Sequence, residues 1–506
     1  MTFVLALSPI LWLIVSLGFL KMQSFKACPL ALIISFLVAL LYYHMSGVDA
    51  GTAALEGVAL ACWPILLVII AAIFTYNLTL YTKSMDIVKH MLTTVSKDQR
   101  VLALLIGWGF GAFMEGMAGF GTAIAIPASM LVAMGFNPVK AILLCLIANS
   151  VPTTYGSIGI PASTLANLTG LDPVQLSTYI SLQLLPLNII CPFLMVIVVG
   201  GSIKALRGVF LLTLLCGLGL ALPELLISAI AGPELAVMIS SVVIMGIIVL
   251  YSKYRPSQDE TYHMDIHPAH VPLHGGFLAC LPFILIFVFL LLTSKFVPVI
   301  NVPLSAIKTS VVIYTGPGAS PYTFVWLATP GVLIFLAAFI SGYIQKASFS
   351  EMFFVLLQTI RGLRNTIITI IAVIATAKVM GYSGMTSDIA STAVDVTGNF
   401  YPFIAPIIGS VGTFITGSGT SSNVLFGNLQ TDAAKAIGAN AAWLAAANSA
   451  GTCVGKMISP QSIAIAVGAI SLVGKDSEIL KAIIKVYVPY AIILGCIVYF
   501  GQLFIS

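Results

Sequence analysis

The sequence predicts an all-α polytopic membrane protein on three observations: a surplus of apolar residues, a shortage of charge, and two Gly-rich interruptions inside hydrophobic stretches. Of 506 residues, 59% are hydrophobic and 8% charged, whereas soluble domains carry roughly 45–50% apolar and about 25% charged residues. That supply of charge cannot cover a water-facing surface. With a mean hydropathy of +1.09 and apolar runs along the whole chain, lipid suits most of the surface. The first run follows Met1-Thr2-Phe3 with no basic leader and no small-residue cleavage site before Lys21, so it reads as a retained membrane helix.

Apolar runs predict helices near 3–20, 28–43, 56–80, 101–118, 139–155, 178–199, 208–222, 235–251, 276–293, 323–344, 352–377, 402–415, 437–453, 461–474 and 484–504. Several are shorter than the roughly 20 residues a perpendicular span needs. The expectation is about twelve full crossings plus broken or re-entrant pieces near the Gly and Pro clusters. Short cytoplasmic loops collect Lys and Arg, which orients the runs. Lys21 and Lys26 follow the first helix and put the N-terminus outside. Lys83, Lys89, Lys97 and Arg100 mark a cytoplasmic loop, as do Lys204 with Arg207, Lys253 with Arg255, Lys346, and Lys475 with Lys481 and Lys485. The 44–55 loop has no Lys or Arg, and a loop carrying Glu224 and Glu234 reads as external. Lys295 and Lys308 are exceptions on the outer side.

The most polar break, 252–274, divides the chain into a membrane half at 1–251, a cytoplasmic connector, and a second membrane half at 275–506. His263, His267, His270 and His274 in the connector have near-helical spacing, but Pro268 and Pro272 argue against a regular helix, and a solvated loop is the plainer reading over a metal or pH-sensing site.

Each half contains one broken segment, 115–161 and 402–460, and the two share a spaced pattern. Gly119, Gly121 and Thr122 match Gly417, Gly419 and Thr420. Ala148, Asn149 and Ser150 match Ala447, Asn448 and Ser449, while Gly156 and Pro161 match Gly455 and Pro460. By the loop charges, the first unit starts from the cytoplasmic side and the second from the opposite side. Opposed repeats interrupted by Gly and Pro point to a binding site at mid-membrane and to alternating access. Gly119-Phe120-Gly121 and Gly417-Ser418-Gly419 favour unwound backbone. Hydrocarbon offers that backbone no partners, so it must face protein, water or a ligand. A half-helix starting there presents free N–H groups and a positive dipole end, which suits a small carboxylate.

Glu115 lies in FMEGMAGFGT, an apolar neighbourhood where an ionisable group is costly and is kept for transport or pairing. It reads as a proton-coupling residue, against a structural ion pair or an interfacial position. Lys456, inside the second repeat, is the best-placed cation for an anionic substrate. Lys140, Arg361, Arg364 and Lys378 are weaker candidates, since the two arginines fit a helix end that snorkels to the interface. Asn149, Tyr155, Ser421, Ser422, Asn423 and Asn448, with Thr122, Thr420 and the four glycines, complete the candidate substrate-binding set. Ser and Asn also serve as glue between helices. Thr154 and Ser157 share the broken VPTTYGSIGIP stretch.

The remaining classes find little support. Net charge is +5 without a dense basic block, so no nucleic-acid partner is expected. Eight Cys without a CxxC pair read as small hydrophobes rather than ligands. No hydrolase triad, P-loop or HExxH motif appears, so neither an enzyme nor a cofactor or metal site is expected.

EGMAGFGTAIAIPASMLVAMGFNP at 115–138, LLCLIANSVPTTYGSIGIP at 143–161 and GSGTSSNVLFGNLQ at 417–430 resemble the bacterial L-lactate permease family. The likeness runs over nearly the whole chain. It implies an inner-membrane secondary carrier taking up L-lactate, D-lactate and glycolate with H+ by alternating access. Glu115 resembles the family's acidic position before its GFGT segment, and Gly419 stands where the family often has Asp. A carrier for another small organic anion such as a dicarboxylate, or Na+-coupled uptake, is the alternative.

Overall fold

The computed structural model describes residues 2–20, 22–119, 121–255, 259–264, 272–293, 297–470, 472 and 475–505. Among the described residues, ten helices are long and apolar enough to span a membrane, or eleven if the bent pair Pro138–Asn149 and Pro152–Thr169 forms one span. The chain is an α-helical polytopic membrane protein. The expectation of about twelve crossings exceeds that number, partly because the runs at Phe3–Leu17 and Pro330–Ile344 are shorter apolar helices.

Three local expectations are corrected. Residues Lys308–Val311 and Tyr322–Val325 pair as an antiparallel β-hairpin, so the fold carries a small β element among its helices. Its Tyr322 hydroxyl donates to the Trp63 carbonyl, which ties the hairpin to the Gly47–Tyr81 span. Glu224 does not lie in a loop: the Phe210–Ala231 helix continues through Pro223, and Glu224 is fully buried. A Pro inside a membrane helix is tolerated when neighbouring helices and hydroxyls satisfy the freed backbone. The run at 352–377 extends to Phe349–Ser383, started by a capping box of Ser348 and Glu351.

The described part of the connector is docked rather than wholly solvated. Met264 N–H donates to Lys97 O at 2.9 Å, and Asp98 bridges to His263. Buried Arg100 pairs with Asp98 at 2.7 Å and lies over the Tyr262 ring. Asp259 approaches the same guanidinium at 3.6 Å, and the Thr261 hydroxyl holds its carboxyl below the usual carboxylate value. His267 and His270 lie outside the described residues, as do Lys21 and Lys295.

Two helical hairpins position the site. Gln99–Met117 is followed, after Gly119 and Gly121, by the returning arm Thr122–Ala133, and Tyr401–Thr416 turns back through Gly417 and Ser418 into Gly419–Ile437. Gly111 packs close to Ala123 and Pro127, and Ser422 Oγ donates to Gly409 O at 2.7 Å, so each pair of arms is in contact. Each hairpin is followed by a broken helix: Pro138–Asn149 and then Pro152–Thr169, and Ala441–Lys456 and then Pro460–Ala469. The packing is crosswise. The end of the first broken helix lies on the second hairpin, with Gly427 against Leu165, and the end of the second lies on the first hairpin, with Gly121 against Ile465.

Candidate functional site

The tips of both hairpins and both helix breaks meet around one cavity of about 290 Å³. Its wall includes Glu115 and Gly119 from the first hairpin, and Gly417, Gly419, Thr420 and Ser421 from the second. The first break contributes Thr153, Gly156 and Ser157, and the second contributes Lys456 and Gln461.

Backbone geometry explains why glycine sits at each tip. Gly119 and Gly417 both have left-handed φ, at +60° and +70°, a region that costs L side chains. A Cβ on Gly119 would also collide with Ser157, and one on Gly417 with Gln461. Phe120, between the first pair of glycines, lies outside the described residues. Ser157 Oγ donates to Ala118 O at 2.8 Å and holds the first break against the first tip.

The second hairpin supplies donors. Ser418 caps its returning arm, its hydroxyl accepting from Ser421 N–H at 3.2 Å. The first ladder bond is Ser422 N–H to Ser418 O, so helix geometry leaves the N–H groups of Gly419 and Thr420 at the cavity. Two further half-helices start beside it, at Pro161 after the left-handed turn of Ser157–Gly159 and at Pro460, next to Gln461. Positive dipole ends from both halves therefore face one space.

The charges are opposite and nearly enclosed. Lys456 is 7% exposed and Glu115 is 3% exposed. Lys456 Nζ donates to Gly417 O at 2.7 Å, pinning the tip. The Glu115 carboxylate is within electrostatic reach of that ammonium and lies beside Asn149, yet its Oε2 has no hydrogen-bond partner. Asn149 is buried with both amide atoms unpartnered. In a native interior, unsatisfied polar atoms are rare and costly. Here three of them cluster beside a cavity.

Other predicted residues have different neighbours. Thr122 Oγ1 donates to Gly119 O at 2.7 Å, and Gly121 packs on Ile465. Asn448 Nδ2 donates to Asn423 Oδ1 at 3.0 Å, and Asn423 Nδ2 reaches Pro161 O at 3.1 Å and Ser449 Oγ at 2.9 Å. The Thr154 hydroxyl bonds to Ser449 as well. Tyr155 turns away from the cavity and donates to Ser177 O at 2.7 Å. Of the weaker cations, Lys140 donates to Val199 O, Lys378 pairs with Glu56 at 2.8 Å, and Arg361 and Arg364 are exposed.

Sequence reasoning missed Gln461 and a polar stripe of Asn365, Thr366 and Thr369 on the long Phe349–Ser383 helix, all of which line the cavity. The stripe is visible in the sequence as polar residues in a membrane helix, but nothing in that pattern ties it to a cavity. Gln23, Ser24 and Phe25 close another part of the wall.

Comparison with known proteins gives one consistent family. The family model described as L-lactate permease matches residues 2–505. An L-lactate permease of Streptococcus iniae is 47% identical, over 89% of this chain and 94% of that protein. An L-lactate permease of Bacillus subtilis (strain 168) is 32% identical over 98% of this chain and 95% of that one. The glycolate permease GlcA of Escherichia coli (strain K12) is 34% identical over 97% and 94%. Among solved structures, that of the Alcanivorax borkumensis YdaH transporter aligns with a TM-score of 0.46 at 12% identity, covering 90% of this chain and 87% of that chain.

Proposed function

This chain belongs to the L-lactate permease family, and on that premise we propose that it takes up L-lactate and related 2-hydroxymonocarboxylates with protons, by alternating access. It is a multi-pass transporter of the bacterial inner membrane and not an enzyme. The observation that carries the reading is the cavity itself, where a buried cation, leading N–H groups and hydroxyls converge beside a buried acid with an unpartnered oxygen.

The substrate carboxylate replaces its hydration with the Lys456 ammonium and the N–H groups of Gly419 and Thr420. Thr420, Ser421 and Ser157 hydroxyls, with Gln461, offer donors and acceptors to the 2-hydroxyl. The lone cation among the described lining residues favours a monocarboxylate over a dicarboxylate, because a second buried carboxylate needs a second partner. Proton binding at Glu115, assisted by Asn149, removes a buried negative charge and frees Lys456 for the substrate anion. One monoanion moving with the proton on Glu115 is electroneutral, and a further proton carried with it adds one positive charge.

The crosswise packing supports two inverted repeats. If both hairpins started from one side, the half-helix ending at Ala469 would run toward the opposite side from Thr122–Ala133 and would not lie against it. Its Ile465 packs on Gly121, in keeping with opposed hairpins. The halves at 1–251 and 275–506 are then related units joined by the 252–274 connector. Loop charge supports an external N-terminus. The cavity reaches Gln23–Phe25 and Asn365, near Lys26, Arg361 and Arg364, which supports a cytoplasmic mouth and an inward-facing conformation.

Paired L-lactate and proton fluxes in proteoliposomes test the proposal. Lactate and glycolate are expected to compete with labelled lactate more strongly than succinate or uracil. Strong competition by succinate would transfer the site to dicarboxylates, and lactate uptake driven by Na+ without proton movement would remove the proton from the mechanism.

A further inference from the structure

Besides Glu115 and the Lys378-paired Glu56, another carboxylate is buried in the membrane region. Glu224 is 0% exposed on the Phe210–Ala231 helix. Asn188 Nδ2 donates to its Oε1 at 3.1 Å, and its Oε2 has no partner. The groups facing it from the neighbouring helices and the break are neutral amides, hydroxyls and a thiol: Asn188, Ser181, Tyr155 and Cys453. Among the described residues no Lys, Arg or His pairs with it. An ionised carboxylate without a cation is expensive in such a place.

Ser181, which faces the carboxyl, belongs to a cluster of hydroxyls. Tyr155 OH shares a 2.6 Å hydrogen bond with Ser181 Oγ, Ser181 Oγ shares one of 2.8 Å with Ser228 Oγ, and Ser228 Oγ donates to Tyr155 OH at 3.3 Å. Ser177 Oγ donates to Ser228 O at 3.2 Å. Tyr155 closes the short turn Pro152–Tyr155, which begins just after Asn149, Ser150 and Val151, so the cluster is anchored on the same break that borders the transport cavity. At its other end, the same Ser177 hydroxyl also lies 3.1 Å from Val174 O, its one proton shared between the two carbonyls, and Gly232 N–H donates to Ser228 O at 3.3 Å. Val174, Gly232 and Glu234 line a separate cavity of about 210 Å³.

We propose that Glu224 is a second proton-binding site of the carrier, linked through the Tyr155–Ser181–Ser228 hydroxyl cluster to the first helix break and supplied from the cavity at Gly232–Glu234. The step is an acid–base exchange with water. A proton from hydronium bonds to Glu224 Oε2 and releases water; when the break moves and Tyr155 leaves the cluster, the O–H bond breaks and the proton returns to water, leaving a carboxylate. This inference rests on the transport reading for its coupling to substrate, but proton binding at Glu224 stands apart from it.

Infrared difference spectroscopy during a pH titration of the purified, substrate-free protein reads the proton directly. The expected result is a protonated-carboxyl C=O band that Glu224→Gln removes and Tyr155→Phe shifts. In proteoliposomes, Glu224→Gln is expected to lower accumulation driven by a pH gradient by about tenfold per pH unit, and to lower lactate counterflow less. A band and a gradient response unchanged in Glu224→Gln would overturn the proposal. If Glu224→Gln fails to fold, Glu224→Asp is expected to keep the band at a shifted frequency, and an unshifted band overturns it. Absence of lactate counterflow in the unmodified protein would count against the substrate reading alone, because the band still decides Glu224.

Discussion

At 149–161 the chain leaves α-helix after Asn149, makes a short turn at Pro152–Tyr155, and passes through left-handed Ser157, Ile158 and Gly159 before the helix resumes. At 448–460, which carries the same Asn, Gly and Pro spacing, the helix continues through Lys456 and restarts at Pro460. The long break contributes an acid-side environment: Glu115 lies against Gly156, and Asn149 keeps both amide atoms unpartnered. The short break contributes a cation, and its Asn448 is bonded to Asn423 and Gln430. Glycine explains how the second segment stays closed: Gly451 and Gly455 let the helix meet the backbone of Pro406 and Ser410 at distances no Cβ permits. Equal spacing in sequence thus accompanies a long break with left-handed backbone beside the acid in one half and a short break that carries the cation in the other.

The largest test of that contrast removes the cation. Lys456→Met is expected to cost about 2–5 kcal/mol of lactate binding, a loss of roughly thirtyfold or more. Direct binding to the purified protein checks it, and undiminished affinity would mean that the short break does not face the substrate. Next comes the stability of the segment with the short break. Asn448→Ala leaves Asn423 Oδ1 unpaired and weakens the hold on Gln430, for an expected loss of about 1–3 kcal/mol, read as a lowered thermal midpoint. For the acid, Glu115→Gln is expected to reduce pH-driven accumulation by about tenfold per pH unit, or about 1.4 kcal/mol, in a flux assay that follows lactate and protons together. Retained lactate-driven proton flux would take Glu115 out of the proton pathway.

Much of this is legible in the sequence, for physical reasons that also mark where legibility stops. Composition decides the solvent, and Gly with Pro marks backbone that hydrocarbon cannot satisfy, so Gly119, Gly417, Glu115 and Lys456 stand out before any geometry. The jobs of Asn149 and Asn448 do not separate in sequence, because an amide's role depends on whether a partner stands opposite, and the partners Asn423 and Gln430 come from another helix. Glu224 reads as a loop residue because Pro223 precedes it. Burial in a membrane helix reverses that reading, as hydroxyls from the Pro173–Gly200 helix and the first break surround the carboxyl. Asn365, Thr366 and Thr369 stay unmarked because the pattern of one helix does not say which face meets a cavity.

The finest test compares the two asparagines by the same deletion. Asn149→Ala and Asn448→Ala remove the same atoms from buried positions, so the volume lost is common to both and the difference isolates hydrogen bonding. Asn448 has well-formed partners to lose, while Asn149 stands beside the Glu115 carboxyl without a bond of good geometry. Asn149→Ala is therefore expected to lower the thermal midpoint less than Asn448→Ala does, since an orphaned amide already bears its desolvation cost. Its effect belongs to transport: if Asn149 bonds the Glu115 carboxyl or the substrate during the cycle, the variant loses about 0.5–1.5 kcal/mol there, roughly two- to tenfold in flux. Equal destabilisation by the two substitutions, with equal flux, would erase the distinction between the long break and the short one.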